Sequence, residues 1–224
     1  MRLTLPLIDE SAYLMSARPA DMDALWERGW RHFGPMFFRY SHTLSGTEVR
    51  HVMPLRVDLE CFSPSKSQRR VRRKIADLRL QVSPTCLDAE RDALFELHKQ
   101  RFAANVPESL EVFLGPNPNR VPCANSEVAL FEGSQLIAAS YLDLGARSVS
   151  SVYGFFHPDH AWRSPGIATM LLEIEYAQQH GYRYYYPGYA FREPSHYDYK
   201  KQFAGLEIYD WAGRWVPCQR RHKS

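Results

Sequence analysis

Between Ser148 and Gly181 the chain carries its least ambiguous structural signal, a strand that must enter a helix through a short polar break. Ser148–Phe156 is rich in the β-branched and aromatic residues that fit a pleated surface. After the break, Ser164 can cap a helix and Pro165 suits its first position, while Ile167, Met170, Leu171, Ile174 and Ala177 recur on one side. His180 and Gly181 close it with a last-turn cation and a residue that tolerates a left-handed terminus. A helix with so wide an apolar face needs a sheet to lie on. Candidate strands surround it: Arg79–Val82, then Ser126–Phe131 and Gln135–Leu144 joined by the hairpin turn Glu132-Gly133-Ser134, then Tyr182–Tyr186 and Leu206–Trp211. Further helices are expected over residues 66–80 and Leu87–Phe102, and residues 103–125 form a loop long enough to suggest function or mobility.

Residues 1–64 read as a small α/β module. Residues 21–33 predict a helix with Asp21 as cap and Met22, Leu25, Trp26 and Trp30 on one side, ended by Gly34-Pro35. Two strand-like runs, MFFRYSHTL and VRHVMPLRVDL, flank a Ser45-Gly46 turn, and Ser63-Pro64-Ser65 marks a boundary before a second domain, 65–224. The order of elements there gives an α+β fold, a mixed and mostly antiparallel sheet flanked by helices, rather than a doubly wound parallel sheet. That is the order of GNAT-like acyltransferases, in which a strand-to-helix turn offers its N–H groups to the phosphates of the acyl donor. Arg163, Ser164, Gly166 and Ala168 crudely match the GNAT donor-loop pattern R/Q-x-x-G-x-G/A.

Composition narrows the class further. Apolar runs such as Ile137-Ala138-Ala139 fall far short of the roughly 20 residues of a membrane span. The N-terminal MRLTLPLIDESAY has no secretory pattern, so a cytoplasmic protein is expected. With 45% hydrophobic residues the chain can bury a core without disulfides. Cys61, Cys86, Cys123 and Cys218 are widely spaced with no CxxC, and the nearest histidines, His157 and His160, flank no ligand pattern. Reduced thiols, no metal and no cofactor are expected. The net charge of +3 conceals a polarised distribution. Residues 66–80 carry Lys66, Arg69, Arg70, Arg72, Arg73, Lys74 and Arg79 against Asp77, and the tail adds Arg214, Arg220, Arg221 and Lys223, so the rest of the chain is acidic. Val71, Ile75 and Leu78 give the first segment one apolar stripe, which would dock while its arginines face a polyanion or simply solvent.

The segments SQRRVRRK (67–74), SSVYGFFHPDHAWRSPGIATMLLEIEYAQQHG (150–181), YYYPGYAF (184–191), YDYKKQF (197–203) and DWAGRW (210–215) together resemble the aminoacyl-tRNA–protein transferases, the arginyltransferases and bacterial leucyltransferases of the N-degron pathway. The resemblance runs in order over roughly residues 40–215. It implies a GNAT-like enzyme that takes an amino acid, Arg or Leu, from charged tRNA and delivers it to an amine, foremost the N-terminal α-amine of a protein. Residues 1–64 would then recognise the acceptor. Arg69, Arg70, Arg73 and Lys74 would lie near the tRNA. This chain departs from the family pattern where a cysteine cluster is usual. Val49 and Val52 occupy cysteine places before Pro54 and Arg56, Ser11 stands at the head of a Cys-x-Tyr-Leu stretch, and His157 replaces the first Asp of D-P-D.

For the chemistry this implies, a base must take a proton from the incoming ammonium and donors must stabilise an oxyanion. Asp159 is a candidate base, or a turn residue only. Tyr199 and Lys200 are candidates to stabilise the oxyanion or protonate the leaving ribose hydroxyl, or, for Lys200, to hold phosphate. Among Tyr184, Tyr185, Tyr186 and Tyr189, strand alternation leaves at most two for a ligand; Tyr186 and Tyr189 are the candidates to stack the terminal adenine, with Gly188 permitting close backbone approach. Arg163, Ser164 and Gly166 are assigned to the donor-binding helix start. Two other functions share these residues: an acyl-CoA-dependent N-acyltransferase and a catalytically silent tRNA-binding module.

Overall fold

The computed structural model describes residues 6–103 and 106–218. The first residues of the N-terminal segment and the basic residues Arg220, Arg221 and Lys223 lie outside them. In chain order the elements are β1 (Asp9–Tyr13), α1 (Pro19–Glu27), β2 (Arg31–Phe33), β3 (Met36–Tyr40), β4 (His42–Ser45), β5 (Glu48–Asp58), α2 (Lys66–Lys74), β6 (Arg79–Pro84), α3 (Ala89–Lys99), α4 (Glu111–Leu114), β7 (Asn125–Glu132), β8 (Gln135–Leu144), β9 (Ser148–Phe156), α5 (Pro165–Gln179), β10 (Tyr184–Phe191), β11 (Leu206–Tyr209) and β12 (Trp215–Pro217). Short 3-10 helices, Pro158–Arg163 and Asp198–Gln202, precede α5 and β11.

One sheet runs β12-β11-β5-β10-β9-β8-β7-β6, with β4 attached to β5, and a second small sheet runs β1-β3-β2. Neighbours in the large sheet are antiparallel except β9 and β10, which the α5 crossover joins as a parallel pair. β5 precedes the boundary expected at residue 64 yet lies inside the large sheet, between β10 and β11. The sheet is mixed, largely antiparallel and covered by helices on both faces, the GNAT-like architecture.

Period-two alternation sends each strand's residues to opposite layers. Val128 and Leu130 of β7 join Val149, Ala168, Leu171 and Ile174 under α5, with Val71 of α2 and Ile75 just after it closing that layer. Ala129 and Phe131 point the other way, to Leu94 and Phe95 of α3 and Phe113 of α4. α1 covers the rest of that face through Met22 and Trp26.

Three expected boundaries move. α2 has the capping box its Ser65 and Gln68 encode, at 3.2 and 2.8 Å, but it ends at Lys74 rather than near residue 80. There Asp77 turns toward Arg163, whose guanidinium it binds at 2.7 and 2.9 Å. α1 starts at Pro19 and stops before Gly29, so Arg31–Phe33, expected to be helical, pair with β3 instead. The long loop 103–125 contains the short α4. Among the described residues no helix is long and apolar enough to cross a membrane.

The turn between β8 and β9 shows how tightly α1 is seated. Asp23 of α1 accepts the N–H groups of Ala146 and Arg147 at 3.1 and 2.8 Å. A Cβ on Gly145 would collide with the Asp23 carboxylate, stand 2.7 Å from the Trp26 ring and 2.8 Å from the Ser148 carbonyl. Gly145→Ala is therefore expected to lower stability by about 1–3 kcal/mol through overpacking, read as a lower urea midpoint; an unchanged midpoint would mean that α1 is not held against this turn.

Candidate active site

The parallel pairing of β9 and β10 covers only Tyr184–Tyr186 against Ser148–Ser150. Beyond it β10 bulges between Tyr185 and Gly188, and Gly188 takes φ +92°, a conformation natural to glycine. The two strands then part, and a cavity of about 690 Å³ opens in the wedge. Its walls come from β9, from the start of α5, from the bulge of β10, and from the 3-10 helix that carries Tyr199 and Lys200. Phe33, Phe38 and Tyr40 of the small sheet and His98, Arg101 and Phe102 near the end of α3 complete the rim.

Polar groups converge on the floor and directly behind it. Glu173 of α5 is buried and its carboxylate accepts the Tyr185 hydroxyl at 2.5 Å and the Ser151 hydroxyl at 3.2 Å. Burial disfavours its charge and pushes its pKa up to about 7, against the pull of those hydrogen bonds. Arg31 of β2 enters from the small sheet and donates to the Ser150 hydroxyl and the Ser151 carbonyl. Burial lowers its pKa, while nearby Asp143 opposes the change. Lys200 donates from Nζ to the Pro187 carbonyl at 2.8 Å. Burial, then repulsion from Arg31, brings the ammonium down to about 7, with Glu173 opposing. Tyr199 is pushed up to about 12, mainly by burial. A lysine shared between its two protonation states near neutral pH can take a proton and return it. A Cβ on Gly188 would stand 3.5 Å from Lys200 Nζ and 3.6 Å from Arg31 Nη2, so the glycine brings bare backbone beside both cations.

At the mouth, Ser164 holds φ +58°, ψ +54°, unusual for a residue with a side chain. It caps α5 differently from the expectation: its carbonyl accepts the Ile167 and Ala168 N–H groups at 3.0 Å each, and its side chain makes no capping bond. A Cβ on Gly166 would meet nothing within 4 Å. Packing therefore does not require this glycine, and it leaves the helix start approachable by a ligand.

Of the residues singled out from sequence, Ser164, Gly166, Gly188, Tyr189, Tyr199 and Lys200 line the cavity. Tyr189 is anchored there by its hydroxyl, which donates to the Gly29 carbonyl at 2.7 Å. Four groups lie elsewhere. Asp159 does not line the cavity: the 3-10 helix inserted before α5 turns its side chain to solvent at 87% exposure, away from Lys200 and the other converging groups. Arg163 is buried and engaged with Asp77, with Glu132 at 2.8 Å and with the Lys74 carbonyl, so it braces the turn instead of contacting a donor. Tyr186 is buried on the α1 face with Trp26 and Trp215 at ring distances of 5.9 and 5.6 Å, because both faces of β10 are covered. Arg69, Arg70, Arg73 and Lys74 are exposed on α2, outside the cavity. Lys74 nevertheless donates to the Trp162 carbonyl at 2.5 Å, so the basic helix abuts the turn at the cavity mouth.

Arg31 and Glu173 were not among the residues expected from sequence. A carboxylate in the apolar run Leu171–Ile174 was the only trace of the second, and Arg31 was hidden in a segment with a helical pattern. The structure also gathers His32, Cys123 and Asp143, with ligand-type atoms within 4.8 Å of one another. This buried donor set is internally hydrogen bonded: His32 contacts the Gly34 carbonyl at 2.9 Å and Asp143 at 2.8 Å, and Asn125 donates to Asp143 at 2.8 Å.

The pattern of the arginine-tRNA-protein transferase C terminus matches residues 90–210. An aspartate/glutamate leucyltransferase of Stenotrophomonas maltophilia is 30% identical over 195 residues, 84% of this chain and 76% of its own length. The protein of the same name from Xylella fastidiosa is 32% identical over 74% of this chain and 68% of its own. Among solved structures, FemX superposes with a TM-score of 0.54 at 10% identity, over 91% of this chain and 70% of its own, a likeness of fold.

The raised carboxyl of Glu173 has a consequence for stability. Between its ordinary value of 4.5 and about 7 the folded state holds a proton that the unfolded state has released, so stability falls as pH rises through that window. Glu173→Gln avoids this loss. Its urea midpoint is expected to approach the wild-type value near pH 4.5 and to exceed it above pH 7 by the equivalent of about 3 kcal/mol. A difference independent of pH would show that Glu173 titrates normally.

Proposed function

The chain belongs to the arginine-tRNA-protein transferase family, and from that premise we propose that it transfers leucine from charged tRNA to the α-amine of a protein beginning with Asp or Glu. The observation that carries this reading is Lys200, poised near neutrality at the floor of a wedge whose mouth is a helix N-terminus. The lining favours leucyl over arginyl. Its walls are largely aromatic and include no carboxylate, and the buried Glu173 behind Ser151 is already bonded to Tyr185 and Ser151, leaving an arginyl guanidinium without an anionic partner. Arg31 and Arg101 supply positive charge for the first side chain of an acidic acceptor. The leucyltransferase names of the Stenotrophomonas and Xylella proteins agree with both choices.

In the proposed reaction neutral Lys200 accepts a proton from the acceptor ammonium. The freed amine attacks the ester carbonyl, and the tetrahedral oxyanion lies near the Gly188 backbone and the Lys200 ammonium. The attacking nitrogen gives up its second proton to solvent, the bond from carbonyl carbon to ribose oxygen breaks, and Lys200 returns its proton to that oxygen. The ester is already activated, so the aminoacyl-tRNA is the only donor required and positioning supplies much of the rate. Exposed Arg69, Arg70 and Arg73 meet tRNA phosphates alongside the mouth, in the cytoplasm where charged tRNA is found.

Incubation with leucyl- or arginyl-tRNA and peptides beginning with Asp, Glu, Arg or Lys tests the assignment; transfer only from arginyl-tRNA, or turnover only with acetyl-CoA, would overturn it. Lys200→Met is expected to reduce kcat by about 10²–10⁴-fold. Wild-type kcat/KM should rise with pH up to about 7 and then level, as Lys200 loses its proton. A Lys200→Met enzyme of wild-type rate would exclude the lysine from proton transfer. Arg70→Glu combined with Arg73→Glu should weaken tRNA binding and flatten its dependence on salt by about one unit of slope per lost phosphate contact; unchanged binding would remove α2 from the tRNA site.

A further inference from the structure

Trp162 is 58% exposed, an expensive position for the largest apolar side chain. It lies in the 3-10 helix before α5, between Ala161 and Ser164, both of which line the cavity. The ring is held rather than loose. The Arg163 guanidinium lies over it, 4.4 Å from the ring centroid. That guanidinium is fixed by Asp77 at 2.7 and 2.9 Å, by Glu132 at 2.8 Å and by the Lys74 carbonyl. The Trp162 carbonyl is tied to Lys74 Nζ at 2.5 Å. One indole face is therefore backed by an immobilised cation while much of the ring remains open to solvent. Lys74, at the end of the basic α2, holds the Trp162 carbonyl, and the neighbours of Trp162 in the chain, Ala161 and Ser164, line the cavity.

We propose that Trp162 is a stacking platform for an unpaired base of the single-stranded RNA 3′ end that leads from α2 into the cavity. The proposal rests on the aminoacyl-tRNA reading and adds to it a base-binding subsite outside the cavity. Every base presents a π face, so a fixed, cation-backed indole binds unpaired nucleotides whatever their sequence. The acidic groups nearest the ring favour a base over another protein's aromatic residue. Asp77 and Glu132 are paired with Arg163, and with Lys74 beside them the two carboxylates are matched by two cations. Asp159, three residues before Trp162, shares its side of the 3-10 helix, where the exposed carboxylate can accept the exocyclic amine of adenine or cytosine. A Phe substitute retains a stacking face and an Ala substitute does not.

The test uses wild-type protein, Trp162→Ala and Trp162→Phe with two probes, the ribotetranucleotide ACCA and its abasic counterpart. Wild type is expected to bind ACCA about tenfold more tightly than the abasic chain, Trp162→Phe to keep most of that preference, and Trp162→Ala to bind both alike. With full-length leucyl-tRNA, Trp162→Ala should raise KM about tenfold while kcat changes by less than about twofold, the pattern of a binding contact remote from the reacting atoms. An Ala variant that keeps both the preference for ACCA and the wild-type KM overturns the platform while leaving the transferase reading intact. A wild-type protein that neither binds ACCA nor transfers an amino acid overturns both. Since the ring is exposed, the Ala variant should unfold at the wild-type urea concentration, and a lost preference in a protein of unchanged midpoint is a loss of contact rather than of fold.

Discussion

Tyr184–Tyr186 and Ser148–Ser150 hold the parallel contact at the centre of the large sheet, and the site is made by the point at which that contact stops. A parallel pair needs a crossover, so α5 must lie across the sheet and begin at the far end of β9. β10 runs on beside β5 through the bulge at Tyr185–Gly188, while its pairing with β9 ends at Tyr186. The wedge, the helix N-terminus at its mouth and the bare backbone of Gly188 on its floor all follow from that arrangement. Had the two strands stayed paired to their ends, the space would be closed and Lys200 would have no cavity to face.

Once the wedge exists, its electrostatics follow from burial. Arg31 and Lys200 enter a space shielded by aromatic rings, Glu173 of a third element lies buried behind it, and each charged form loses hydration. Two cations and one carboxylate at close quarters cannot all keep their solution behaviour. Lys200 gives way because both desolvation and Arg31 act against its proton. The same low polarity that burdens the fold strengthens the interactions this site makes with a developing charge. Residues 1–64 are integral to this environment, since β2 supplies Arg31 and β5 is a central strand. Val49 and Val52, where the family usually has cysteines, lie on β5 at an exposed and a buried position, so only Val52 is used in packing.

Local patterns in the sequence carried much of the fold. The hairpin around Gly133, β9 and the span of α5 fall where residue periodicity and turn chemistry place them, because each is decided by neighbours close in the chain. The misjudged segments are those settled by distant partners. Residues 31–33 join a strand because β3 offers them hydrogen bonds, and α2 is cut short where Asp77 meets Arg163, a residue distant in the chain. The same division runs through the site. Lys200, Tyr199, Gly188 and Ser164 were legible because they fall in compact motifs. Arg31 and Glu173 carry no local mark, and Asp159, Arg163 and Tyr186 had the right chemistry in positions that face solvent, an ion pair and a covered sheet face.

The sequence by itself determined the family, the α+β order of elements, the basic face of α2 and the strand–turn–helix that frames the cavity. These reside in contiguous segments whose meaning does not depend on what folds against them. Tertiary structure alone decided which charges are buried together. It brought Arg31 across from the small sheet, set Lys200 and Glu173 in one desolvated space, and left Trp162 open beside the mouth. Such properties arise from how far water is excluded around groups distant in the chain, a quantity that local sequence does not specify.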